Sequence, residues 1–303
     1  MHDGSPWAYH LHVAAWVAVL ALGVLYALAV RRRGWQATTR QVALFYGGLA
    51  LLLGATTWPL ADLAAHWLLS ALVLQRLVLM LGAPPLLLLG LPVPVAAALT
   101  RPRLVDHVAL ACSRPKVAVV VVVLIAVGSL TAPAVHAQNS SLLWRAVFDT
   151  LILLSGIVLW TPVLRWVPGT TRPSPLARTA YLIIQSIVPS FLAIVWIFAR
   201  HPLYPAYDYK GHVLGLSALG EQQIAGFVAK LGTIAVLWTV AFIGLARTEG
   251  EDPDAADPLT WADVQRHLER ADRGGAMALE TQPSPPSDEK HEPAKEEEHR
   301  DPE

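Results

Sequence analysis

Three charged residues, Arg76, Asp149 and Lys230, lie inside long apolar runs. A charge at bilayer depth is costly and usually has both a partner and a reason. Three such charges suit an ion pair that fixes helix packing, or an ion pathway or binding site. Histidine is the second group able to do chemistry. Neutral imidazole is the commonest protein ligand for copper and zinc. His10, His12, His66 and His136 fall on one expected side of the chain, with His2, His201 and His212. They can form a metal cluster there, or serve as tolerable interfacial residues. His10-x-His12 is the only close pair. Soft ligands are scarce: one cysteine, Cys112, and Met80 as the one methionine inside a run. A Cu(I) relay through the membrane draws on thiolates and thioethers, so it has little support. The lone cysteine also excludes an intramolecular disulfide and a Cys-x-x-Cys metal site. No nucleophile–base pair is visible, so no catalytic residue is assigned and no enzyme is expected. There is no phosphate loop and no basic–aromatic stripe for nucleic acid.

The elements that position these groups are membrane spans. Runs of about 18 or more apolar residues read as spanning helices. Here they recur near 12–30, 41–58, 64–83, 115–132, 142–164, 178–199 and 222–246. The expected fold is all-α, an integral-membrane seven-helix bundle over 1–246, with the lipid bilayer as its partner. Val117 to Ile125 is nearly all β-branched or leucine, yet in lipid every backbone group must be satisfied within the segment, so helix is expected there too. Met1 to Tyr9 has no basic leader and no small-residue cleavage site follows, so span one is expected to be retained. Loops after spans one, three and five carry 11 basic residues and the alternate loops 2. This positive-inside bias puts the N-terminus outside and the C-terminus in the cytoplasm.

Interruptions matter. Pro84-Pro85 is expected to stop span three, leaving 86–99 as an interfacial or re-entrant segment. Pro189 is expected to kink span six. Gln223, Gly226 and Lys230 share one face of span seven, and Gly226 lets a second backbone come close. With a helical rise of about 1.5 Å per residue, Arg76 lies roughly 15 Å below His66, Asp149 roughly 10 Å below Leu142 and Lys230 roughly 12 Å below Gln222. The matched depths predict an Arg76–Asp149–Lys230 cluster between spans three, five and seven, with Arg145, one turn from Asp149, as a further partner.

From Arg247 onward there are 17 acidic and 7 basic residues. This cytoplasmic tail, 247–303, is expected to hold a short amphipathic helix over about 260–273, with Thr260 and Asp263 as a capping box and Trp261, Val264 and Leu268 as its apolar stripe. Beyond Gly274 it is rich in Pro, Glu, Ser and Lys and is expected to be disordered. Truncation after Gly250 is expected to leave stability nearly unchanged.

Three motifs carry a resemblance: Ala83-Pro-Pro-Leu-Leu-Leu-Leu-Gly90; Leu159-Trp-Thr-Pro-Val163; and Gly215-Leu-Ser-Ala-Leu-Gly-Glu-Gln-Gln-Ile-Ala-Gly226, preceded by Leu203-Tyr-Pro-Ala-Tyr207. In order and spacing, across about 10–246, the chain resembles the bacterial multi-span CtaG family. The motif residues are Pro84, Pro85, Trp160, Pro162, Glu221, Gln222 and Gly226. The resemblance implies a multi-pass protein of the bacterial plasma membrane that assists cytochrome c oxidase maturation in relation to a copper centre. It implies oxidase subunits as partners and copper, held transiently, as the candidate cofactor. The alternative is a transporter or channel for copper or another small solute. The chain departs from the family pattern at positions where the resemblance leads one to expect histidine: these hold Leu72, Arg76 and Asp149, and Lys230 stands where an aromatic is usual. Arginine stays protonated and cannot ligate a metal at neutral pH. Intramembrane copper binding therefore does not carry over, and metal binding is expected only at the outer face, at His10, His12, His66 or His136.

Overall fold

The computed structural model describes residues 7–32, 37–164, 166–170, 173–208, 215–247, 264–266 and 268–271. These form helices and connecting turns, with no strand among the described residues. In chain order the helices are α1 (Val13–Arg32), α2 (Thr39–Thr56), α3 (Leu60–His66), α4 (Leu69–Leu77), a π-helical turn (Val78–Gly82), α5 (Ala83–Leu89), α6 (Val93–Leu99), α7 (Arg103–Cys112), α8 (Pro115–Gly128), α9 (Ala132–Ser140), α10 (Leu142–Trp160), α11 (Pro175–Phe198), α12 (Pro205–Asp208) and α13 (Ala218–Ala246).

Six helical stretches are long and apolar enough to cross a bilayer: α1, α2 with α3, α4 through α5, α10, α11 and α13. The seventh crossing is α8. Its 14 residues span only about 21 Å, and it meets α7 at a bend of 94°. Connectivity still carries it across, because Gly90, just after α5, packs on Phe45 in the first half of α2, while Arg145 in the first turn of α10 bonds the Ala61 carbonyl in α3. Large apolar side chains such as Leu124, Leu142, Leu176, Phe198 and Leu231 are exposed around the outside. A soluble protein rarely shows so much apolar surface, whereas a lipid-facing bundle must.

Helix starts follow local chemistry. Thr38 and Gln41 form a reciprocal capping box on α2, and Ser174 and Ser217 cap α11 and α13. Proline occupies the first turn of α5, α6, α8, α9 and α11, where its missing N–H is harmless. Pro84-Pro85 therefore starts a helix and does not stop one. The span continues through the π turn to Leu89, so residues 86–89 complete it. Only α6, after the turn at Gly90, is a separate short helix at the end that carries the basic loops. Pro189 lies inside α11, which runs on to Phe198.

The tail corrects an expectation. A helix does cover 264–266 and 268–271, but the face it turns to the bundle is polar. Leu268 is 61% exposed whereas Arg266 is 4% exposed. Arg266 donates to the Ala97 carbonyl and to Thr100 Oγ1 at 3.3 Å. Arg270 holds both oxygens of the buried Asp106 at 2.8 and 3.3 Å and the carbonyls of Gly169 and Pro168 at 3.0 and 3.2 Å. This tail helix ties α6 and α7 to the α10–α11 loop. The capping box at Thr260, Trp261 and the stretch beyond Gly274 lie outside the described residues.

Candidate functional site

Inside a bilayer, a proline leaves a carbonyl without its helical donor four residues on, and something else must satisfy it. Three such carbonyls organise the bundle. Pro59 leaves the Ala55 carbonyl, to which Gln75 Nε2 donates at 2.9 Å. Pro133 leaves that of Ser129, to which Gln138 Nε2 donates at 3.0 Å. Pro84 and Pro85 leave that of Met80 without a donor in either α or π register; Trp160 Nε1 supplies one at 3.2 Å. Gly156, one turn before Trp160, makes this approach feasible: a Cβ there would lie 2.6 Å from the Met80 oxygen and from Pro84 Cγ. Pro84, Pro85 and Trp160 are thus parts of one joint between α10 and the π turn. Pro162 is buried in the turn that ends α10.

The span-seven motif has an equally definite geometry. Glu221, on the first turn of α13, accepts from the backbone N–H groups of Leu69 and Ser70 at 3.1 and 2.9 Å. Leu68 offers α4 no side-chain cap of its own, so a carboxylate from another helix neutralises that N-terminus. Gln222 Oε1 accepts from the Leu203 N–H at 2.7 Å. A Cβ on Gly226 would lie 2.8 Å from the Ala193 oxygen on α11, the close backbone approach expected of it. Tyr204 and Tyr207 complete this end by donating to the Leu130 and Ala64 carbonyls at 2.6 and 2.7 Å. Burial pushes both phenols up to about 12.

Below this layer sit the intramembrane charges. Arg76 is buried and donates to Ser129 Oγ at 3.0 Å and to Gln138 Oε1. Ser129 is the C-cap of α8, so the guanidinium also meets the negative end of that helix. Arg145 donates to the Ala61 carbonyl at 2.6 Å and to Gln75 Oε1 at 3.3 Å. Asp149 lies within electrostatic reach of both arginines and of His12. The expected Arg76–Asp149–Lys230 cluster takes a different form. No ion pair within 4.0 Å joins Asp149 to either arginine. Arg145 takes the place foreseen for Lys230, which is half-buried on α13 without an ion pair or hydrogen bond among the described residues. The reason is visible in the donors: neutral acceptors already occupy both guanidiniums.

The four candidate metal histidines separate. His12 Nε2 lies 3.1 Å from Asp62 Oδ1 and His10 Nδ1 3.4 Å from Asp62 Oδ2. Each imidazole thus meets a different carboxylate oxygen, and the three groups do not converge on one point. His66 ends α3, and His136 is exposed on α9. Among the described residues no group of three or more His, Cys, Asp or Glu is placed to hold a metal ion. The positions where the resemblance calls for histidine do not fit copper either: Leu72 offers no donor atom and Arg76 is a cation. Gln75, Gln138 and Asp62 were not singled out in the sequence. The prolines four residues after Ala55 and Ser129 are the one signal that a donor was needed there.

This architecture defines a multi-pass, all-α membrane protein whose interior motifs join helices. The family model described as cytochrome c oxidase caa3 assembly factor (Caa3_CtaG) matches residues 24–248, and the chain belongs to that family. No curated protein and no solved structure gives a significant match.

Proposed function

We propose that this protein is a plasma-membrane factor that assists maturation of a copper centre in cytochrome c oxidase and acts without catalysis of its own. The carrying observation is that the family match runs over residues 24–248, from the middle of α1 past the end of α13. The family motifs lie on joints of the bundle: Pro84, Pro85 and Trp160 on one, Glu221, Gln222 and Gly226 on the other. A scaffold held rigid at its interior contacts suits a protein that presents surfaces to a client subunit. It suits a transporter less well, since Gln75, Gln138, Arg145 and Trp160 are engaged on backbone carbonyls within the bundle.

Copper enters this reading as transient cargo and not as a resident intramembrane cofactor. The arginine-rich loops support a cytoplasmic placement of the end where the tail helix docks. The test is to delete the gene, purify the oxidase from membranes, and measure its copper-to-haem ratio with and without copper in the medium. The ratio should fall in the deletion strain and recover with added copper or with the gene restored. An unchanged ratio with normal oxidase content contradicts the proposal.

A further inference from the structure

The helix α7 has two faces of different chemistry. Asp106 and Ala109 are its buried residues, and Asp106 is where Arg270 of the tail helix docks. An α-helix turns about 100° per residue, so Leu104 and Val108 lie about 160° around the axis from Asp106. Leu104 is 77% exposed and Val108 is 54% exposed. The apolar face of α7 therefore points away from the side that the tail covers. In water, two large apolar side chains left open side by side are a cost; against lipid they are a gain.

Place and charge say what covers this face. α7 ends at Cys112 and α8 starts at Pro115, so α7 lies where a crossing ends. The two helices meet at 94°. A helix at right angles to a crossing runs in the plane of the bilayer surface. The adjoining crossing already turns Val120 and Leu124 outward to lipid. Arg101 and Arg103 stand at the start of α7, Arg114 and Lys116 just past its end, and all four are exposed. No ion pair among the described residues engages any of them, and Arg270 already holds the neighbouring Asp106. An apolar face in the surface plane, with unpaired cations at both ends, complements acyl chains and anionic headgroups together. We propose that α7 is an interfacial anchor that binds the anionic phospholipid surface of its leaflet. Leu104 and Val108 sit among the acyl chains, and Arg101, Arg103, Arg114 and Lys116 meet headgroup phosphates. This binding is independent of any role in oxidase assembly.

Two measurements on the full chain test this. In the first, purified protein is titrated with phosphatidylglycerol or phosphatidylcholine, and bound lipid is counted by native mass spectrometry. Phosphatidylglycerol should bind at least fivefold more tightly, about the effect of one basic residue near an anionic surface. The joint change of Arg101→Gln, Arg103→Gln, Arg114→Gln and Lys116→Gln should weaken phosphatidylglycerol at least fivefold and leave phosphatidylcholine unchanged. Arg200→Gln, at the other end of the bundle, should alter neither. Equal affinity for the two lipids, or a preference that survives the fourfold variant, overturns the proposal. In the second, a spin label is attached at Leu104→Cys or Val108→Cys, each in a Cys112→Ser background, in nanodiscs containing phosphatidylglycerol. Both labels should collide at least twofold more with oxygen, which partitions into lipid, than with a water-soluble nickel chelate. This readout needs none of the four charges, so it decides if the fourfold variant does not fold. Greater exposure to the nickel chelate at both positions overturns the proposal and leaves the face open to a protein partner.

Discussion

Replacing Arg270 by alanine should release the tail helix from the bundle. The side chain makes two charge-assisted hydrogen bonds to Asp106, at 2.8 and 3.3 Å, and two more to the carbonyls of Gly169 and Pro168. Asp106 is only 2% exposed. Hydrogen bonds to charged groups contribute about 1.5–3 kcal/mol each. The Arg270 side chain is 18% exposed, so the lower figure applies, and the pair on Asp106 amounts to about 3 kcal/mol. At about 1.4 kcal/mol per tenfold, the ratio of docked to undocked tail should fall roughly 100-fold. Backbone hydrogen exchange in nanodiscs reads this directly. Amides in 264–271 should exchange roughly 100-fold faster in Arg270→Ala, while those in the middle of α13 should not change. Leu268→Ala, at an exposed site, should change exchange by less than about 0.5 kcal/mol. If Leu268→Ala releases the helix and Arg270→Ala does not, the apolar stripe does the docking and the reasoning fails. Truncation after Gly250 should then lower thermal stability, contrary to expectation from the acidic composition alone.

Glu221→Ala should destabilise the protein by about 3 kcal/mol, since it removes two buried charge-assisted bonds at the start of α4; Glu221→Gln should cost about half. Thermal unfolding in detergent checks both, and an alanine variant as stable as the parent would remove the capping argument. Trp160→Phe should cost about 1–3 kcal/mol by leaving the Met80 carbonyl without its donor; full stability in the same assay would show that another group serves that carbonyl. Tyr204 and Tyr207 favour the neutral phenol in the folded protein, with values of about 12 against about 10 when unfolded. Their contribution is complete below about pH 10 and is lost as pH rises through about 12. Phenolate absorbance on alkaline titration should show Tyr204 and Tyr207 among the tyrosines that resist ionisation at about pH 11, and ionisation of every tyrosine near the ordinary value would contradict the burial.

Much of the architecture was legible because the bilayer imposes simple rules. Apolar length located the spans, the basic loops ordered their ends, and Gly226 declared a close helix contact. Pro84-Pro85 misled because proline both ends and begins helices. What decides between these roles is a donor from elsewhere, here Trp160, which serves the Met80 carbonyl from 80 residues on. The charge cluster was half legible. Depth put Arg76 and Asp149 at one level, but depth says nothing of azimuth, and Gln75 and Gln138 had already engaged the guanidiniums. The docking face of the tail was not legible, because an apolar stripe of three residues says nothing of Arg266, which meets the end of α6, or of Arg270, which meets a buried aspartate and loop carbonyls. His10 and His12 both lie beside Asp62, but each meets a different carboxylate oxygen, His12 in a hydrogen bond and His10 at 3.4 Å.

The account's central claim is that this membrane bundle serves the assembly of cytochrome c oxidase. Oxygen consumption driven by reduced cytochrome c tests it most directly, in membranes from a deletion strain carrying an empty vector or the intact gene. The account predicts that activity is lost with the vector and restored by the gene, with the deletion strain's oxidase subunits still synthesised. Undiminished activity in the vector strain, with this chain absent from its membranes, would contradict it.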